Sequence, residues 1–179
     1  MRRLYVATTP SADSAAVEAI RDSLAGAFDV PLGALEVPEV DYAFDAVRQQ
    51  FASTTVLESL SRACPPDAAK LLAVTARDLF IPVLTFVFGQ AQLNGRVAVV
   101  SLARLRQEFY GLPPDPAIFL HRAAKEALHE TGHLFGLVHC HDPACAMSLS
   151  TGVRQIDRKQ AAFCKPCAGR IRRPAEHST

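Results

Sequence analysis

His129-Glu130-Thr131-Gly132-His133-Leu134-Phe135-Gly136-Leu137-Val138-His139 is the stretch on which the reading of this chain turns. Two histidines four residues apart share one face of a helix, about one turn from each other. Their imidazoles can therefore meet around one metal ion. Glu130 is rotated about a quarter turn away, where its carboxylate can reach a water on that ion. Gly136 can take a positive φ, end the helix and swing the chain round, so that His139 approaches from another direction. Three neutral imidazoles suit Zn²⁺ and leave a fourth position for water. Zinc brings the pKa of such a water toward neutrality, and a carboxylate placed like Glu130 can take its proton and pass it to a leaving amine. The pattern predicts hydrolysis, with His129, His133 and His139 as metal ligands and Glu130 as general base. A lone His-Glu pair on a helix is usually a solvated face. The Gly136 break and a third histidine at the matching offset argue against that here.

Cysteines follow directly. Of the five in the chain, Cys140, Cys145, Cys164 and Cys167 form two close pairs after the histidines, and Cys64 stands alone. Both gaps fall in the range that structural zinc knuckles use, and a closed thiolate set leaves no place for water. Cys-Lys-Pro-Cys could instead be a redox pair, but the strand-then-helix context of such motifs is missing. A second, structural zinc is therefore expected, tying together a segment with few apolar residues. Cys64 reads as a small core residue. Met147, eight residues after His139, is either a generic core methionine or a packing floor beneath the metal site. His121, His141 and His177 read as surface residues, with His141 a conceivable spare ligand.

Upstream, Arg3 to Thr8 alternates like a strand, and Ser11-Ala12-Asp13 caps a helix carrying Val17, Ile20, Leu24 and Phe28. A strand is expected near Leu32 to Val37 and a helix over Thr54 to Arg62, ended by Pro65-Pro66. Leu71 to Thr75, Leu84 to Phe88 and Val97 to Ser101 read as strands. Asn94-Gly95 is a turn that makes a hairpin or close pair of the last two. Asp115-Pro116 opens a helix that runs to about Phe135 with Leu120, Ala124, Ala127 and Leu128 on a stripe. Beyond Gly136 the chain is rich in Cys, Pro and Gly and reads as irregular. The fold class is thus α/β or α+β, a mixed sheet with helices. One domain is expected over 1–179, with a sheet-and-helix part at 1–136 and a metal-bound C-terminal part at 137–173.

The bulk properties fit. The 179 residues are 49% apolar and 21% charged, enough for a sizeable core, and the formal net charge of +1 gives no field that favours nucleic acid or acidic lipid. The most apolar run, Leu79 to Phe88, is interrupted by Pro82 and is far short of the roughly 20 residues of a membrane span. The start of the chain is too short an apolar stretch for a secretory signal, so a cytoplasmic location is expected. Lys165, Arg170, Arg172 and Arg173 form a basic patch near the cysteines. That patch supports a competing reading, a non-catalytic zinc module that binds protein or nucleic acid. Glu130 discriminates, because a purely structural three-histidine site has no use for an adjacent base.

The string H-E-x-x-H-x-x-G-x-x-H-C-x4-C-x-M over residues 129–147, followed by C-x-x-C, resembles the archaemetzincins, a family of metzincin zinc peptidases. The resemblance implies a compact domain with a twisted sheet, an active-site helix and a tight turn at Met147. It also implies a catalytic zinc on His129, His133 and His139 with base Glu130, a structural zinc on the four cysteines, and peptide or protein substrates. By analogy Leu84 to Phe88 would be the edge strand bordering the cleft, although its apolar character fits an interior strand buried on both sides almost equally well. Pockets near the metal are expected from Val138 and the segment after Met147. A monomer is expected. Two departures stand out. The Met147–Cys164 spacing is one residue shorter than the family pattern, and no tyrosine follows Tyr110, so the oxyanion-binding tyrosine of some metzincins is missing.

Overall fold

The structure, a computed structural model, describes residues 2–171. In chain order it contains β1 (Arg3–Thr8), α1 (Ser14–Ala27), β2 (Leu32–Glu36), β3 (Phe44–Asp45), β4 (Gln50–Ala52), α2 (Ser53–Ala63), β5 (Ala68–Thr75), β6 (Leu79–Phe80), β7 (Gly89–Ala91), β8 (Val97–Ser101), α3 (Pro116–Leu134), α4 (Val153–Arg158) and α5 (Lys165–Ile171). Five strands form the main sheet in the order β2-β1-β5-β8-β7, and β3, β4 and β6 form a small second sheet. β2, β1, β5 and β8 run parallel, and β7 closes one edge antiparallel to β8.

The period of two along a strand divides the core. Leu72, Val74, Ala98 and Val100 face one side, with Ile20 and Leu24 of α1 and Ala127 and Leu128 of α3. Leu71, Ala73, Val97 and Val99 face the other, with Val56, Leu57 and Leu60 of α2. Every residue of β8 is buried, as expected of a strand covered on both faces. The helices that cover it start where their caps dictate. The Asp13 carboxylate accepts from the Ala16 N–H, and Asp115 accepts from the Ile118 N–H just ahead of Pro116.

α3 ends as its glycine requires. Gly136 has φ +83°, its N–H donates to the His133 carbonyl, and the Leu137 N–H donates to the Gly132 carbonyl. Those two bonds are the Schellman arrangement, which redirects the chain after the helix.

Two expectations need correction. Leu84 to Phe88 is not a strand: the antiparallel partner of β8 is Gly89–Ala91, five residues further along at its start. Pro82 and a turn closed by the Leu84 N–H on the Ile81 carbonyl break the run, leaving only a bridge from Leu79 to Val87. The C-terminal part is also less irregular than expected, because α4 and α5 lie within it. Cys64 is only partly buried, at the end of α2. His121 and His141 are exposed, while His177, Arg172 and Arg173 lie outside the described residues.

Candidate active site

His129 and His133 project from the last turns of α3, and His139 returns to them after the Gly136 turn. The three ring centroids are 4.7, 5.2 and 5.0 Å apart. One nitrogen from each ring lies within 4.8 Å of the others. The hydrogen bonds behind the rings set their tautomers. His129 Nδ1 is 2.9 Å from the Ala146 carbonyl and His133 Nδ1 is 2.7 Å from the Leu137 carbonyl. A carbonyl only accepts, so both Nδ1 atoms carry the proton and both Nε2 atoms present lone pairs. Yet the two Nε2 atoms face each other at 3.1 Å. Two lone pairs at that distance repel unless a cation lies between them, so the donor set fits a metal. Burial lowers the pKa of all three histidines, most strongly His129, and the nearby Lys159 charge adds to this. They are therefore neutral at pH 7, as ligands must be.

Glu130 is outside the ligand group but beside it. It is buried, and burial followed by the nearby Glu126 charge raises its carboxyl pKa well above the usual carboxylate range. No other side chain or backbone group among the described residues hydrogen-bonds it. Its carboxyl arm lies across the face of Gly89: a Cβ there would stand 2.6 Å from Glu130 Cγ, 2.7 Å from Oε1 and 2.7 Å from the Val99 carbonyl. The Val99 contact is backbone, so the strand cannot simply give way. Gly89→Ala is therefore expected to push the carboxylate aside and lower kcat by about 10²-fold while zinc content is unchanged, an effect of misplacing a reacting group by about 1 Å. Turnover and metal assays on the purified variant check this.

The four cysteine sulfurs also converge. Cys140, Cys145, Cys164 and Cys167 bring Sγ atoms within 4.8 Å of one another, none in a disulfide. Burial pushes the Cys145 and Cys167 thiols up, and for Cys167 the crowding thiols add to it. Four thiolate charges packed this closely would repel without a cation among them, which suits a tetrahedral metal site. The N–H groups of Met147 and Cys164 point at the Cys145 sulfur. Met147 is fully buried and packs with Leu137, Cys145 and Cys167, and its thioether lies against the Cα face of Gly132 on α3. The Cys140 N–H donates to the Met147 carbonyl, so the loop that supplies His129 with its carbonyl partner is tied to the cysteine cluster.

The histidines open onto a cleft of about 550 Å³. One wall is residues 84–91; the other includes Val138 and Leu149–Thr151, as expected from the sequence. Glu126 also lines it, and this residue was not foreseen. Its carboxylate is held 3.0 Å from Lys159 Nζ, and neither side chain is more than 4% exposed. Arg122 forms a two-pronged pair with Asp157, and Lys125 donates to the Ile156 carbonyl. Together these bonds seat α4 on the back of α3. The one signal available was Arg122-x-x-Lys125-Glu126 on an Ala-rich helix. A buried pair such as Glu126–Lys159 stabilises little by itself, but losing one partner costs on the order of 3–5 kcal/mol.

A mixed sheet with a closing helix that presents H-E-x-x-H, a glycine turn to a third histidine and a cysteine cluster behind it defines a zinc-dependent metallopeptidase. The chain belongs to Peptidase family M54, whose family model matches residues 24–173. An archaemetzincin of Methanocaldococcus jannaschii is 44% identical over 138 residues, 75% of each chain. The crystal structure of archaemetzincin from Methanopyrus kandleri superposes with a TM-score of 0.84 at 34% identity, covering 97% of this chain and 95% of that one. A zinc-dependent peptidase from Methanocorpusculum labreanum gives a TM-score of 0.85 at 30% identity, covering 94% and 99%. The archaemetzincin resemblance read from the motif therefore holds for the fold as well. No helix among the described residues is long and apolar enough to cross a membrane.

Proposed function

We propose that His129, His133 and His139 hold the catalytic zinc, that Glu130 is the general base, and that Cys140, Cys145, Cys164 and Cys167 hold a second, structural zinc. The observation that carries this is the pair of lone-pair-bearing Nε2 atoms 3.1 Å apart, each fixed by a carbonyl behind its ring. Zinc bound there supplies Lewis acidity toward a peptide carbonyl and acidifies a water. Glu130, beside the ligands and free of other bonds, takes the proton of the attacking water and hands it to the leaving amine.

The substrate is an extended peptide laid along β7. Phe88 and Gln92 bond to β8, through the Ser101 N–H on the Phe88 carbonyl and the Gln92 N–H on the Val97 carbonyl. By antiparallel alternation Gly89 and Ala91 turn their N–H and C=O groups outward. A peptide can add there as a further strand, next to Glu130, whose side chain fills the space that a Cβ at Gly89 would need. The edge thus lies at Gly89–Ala91, and residues 84–88 form the rim above it.

The competing reading, a non-catalytic zinc module for protein or nucleic acid, is not favoured. Such a module has no need of a buried, unbonded carboxylate beside its ligands, and the chain is nearly neutral overall. Both clusters and the cleft are completed within one chain, which supports a monomer and one domain over 1–179, divided at the Gly136 turn. An odd number of cysteines, four of them in metal-ligand spacing, suits a reducing compartment such as the cytoplasm. Digestion of a peptide library tests the function. Cleavage should stop on mild chelation, with the histidine zinc lost before the cysteine zinc, and return on adding zinc. Cleavage indifferent to chelator would reject the assignment.

A further inference from the structure

Residues 81–87, the rim that leads into the cleft wall, have no strand hydrogen bonds beyond the Leu79–Val87 bridge; the next strand bond is the Ser101 N–H on the Phe88 carbonyl. What holds them comes from outside the cleft. Arg48 donates from Nη1 to the Leu84 carbonyl at 2.8 Å and from Nη2 to the Pro82 carbonyl at 3.0 Å. Its guanidinium lies over the Phe80 ring at 4.4 Å. Gln50 Nε2 donates to the Thr85 carbonyl and also to Asp78, which pairs with Arg104. Arg48 is itself preset. It sits in the tight β3–β4 turn, where the Asp45 carboxylate accepts from the N–H groups of Val47 and Arg48 at 2.9 Å each.

The wall these bonds fix is apolar. Leu84 and Phe86 line the cleft with Phe88, and Leu84 is 51% exposed. Across the opening, Val138 and Leu149 are 52% and 55% exposed. Large apolar groups left open on both lips of one cleft mark a surface that a ligand covers.

We propose that Arg48 is a positioning residue for substrate selectivity: it latches the 81–87 rim so that Leu84 and Phe86 present an apolar wall to a bulky apolar side chain of the peptide. The inference rests on the peptidase reading and adds to it the kind of residue preferred next to the scissile bond. A planar fork reaching two carbonyls is something lysine cannot reproduce, so arginine is required for full effect. Without the latch, the rim would have to be ordered each time a side chain docks, and the cost would fall on binding rather than on the chemical step.

The test uses matched peptides with Leu or Ala beside the cleaved bond. The wild type, Arg48→Ala and Arg48→Lys are compared, with metal content and melting temperature recorded. The wild type is expected to favour Leu by about 10- to 200-fold, the range that an apolar pocket gives for small changes of side chain. Arg48→Ala should cut that ratio at least several-fold through KM for the Leu peptide, with kcat, zinc content and melting little changed; Arg48→Lys should fall between. Amide hydrogen exchange should speed up in residues 84–88 of Arg48→Ala and not in β8. An unchanged ratio would overturn the proposal, and so would equal losses on both peptides together with lost zinc. Should the wild type cleave neither peptide, the peptidase reading fails separately, and unchanged exchange in residues 84–88 would overturn the latch as well.

Discussion

Glu130→Gln is expected to leave a folded protein that retains its zinc and hydrolyses peptides about 10² to 10⁴ times more slowly, the usual cost of losing a general base. The expectation follows from position. Glu130 is next to His129 on α3 but outside the group of converging ligand atoms, so the metal should not depend on it. Glutamine keeps the shape that packs over Gly89 and loses only the ability to accept a proton. Steady-state kinetics with metal analysis on the same preparation measures both halves. Activity preserved in a zinc-replete variant would mean that another group carries the proton.

Cys164→Ser should act through folding. The cysteine cluster sits where apolar packing is thin, and it anchors the loop that orients His129, a proposed zinc ligand: the Cys140 N–H donates to the Met147 carbonyl, and the neighbouring Ala146 carbonyl holds His129. Apparent binding energies of structural zinc run to about 10–16 kcal/mol, and most of that is energy of folding the site. Losing one thiolate should therefore free residues 140–171 to proteolysis, lower the melting temperature sharply and weaken the catalytic zinc as a secondary effect. Limited proteolysis mapped by mass spectrometry reads the first effect. Intact resistance of that segment in Cys164→Ser would contradict a structural role for the cluster.

How much of this was legible depended on the range of the interactions involved. The histidine spacing, the Gly136 turn and the cysteine pairs are local, and each converged in space as the residue intervals required. Caps at Asp13 and Asp115 fixed two helix starts for the same reason. Leu84 to Phe88 failed because β propensity reports a preference for a pleated, half-buried surface. At that place the partner strand is taken by Gly89–Ala91 and the carbonyls go to Arg48 and Gln50, about 35 residues earlier in sequence. Glycine is a poor strand former, yet it occupies β7 because Glu130 needs the space. Glu126 was invisible because a charged residue on a helix normally faces water, and its counterion Lys159 comes from a segment with no periodic pattern. The two C-terminal helices, of six and seven residues, are too short to leave a periodic trace.

The central claim is that two zinc ions occupy two chemically different sites in one chain and that only the histidine site is catalytic. Zinc per chain, measured by mass spectrometry on gently purified wild-type and His133→Ala proteins alongside their peptide turnover, tests it most directly. Two zinc ions and hydrolysis are expected for the wild type, and one retained zinc with no hydrolysis for His133→Ala. A single zinc in the wild type, or hydrolysis surviving in His133→Ala, would contradict it.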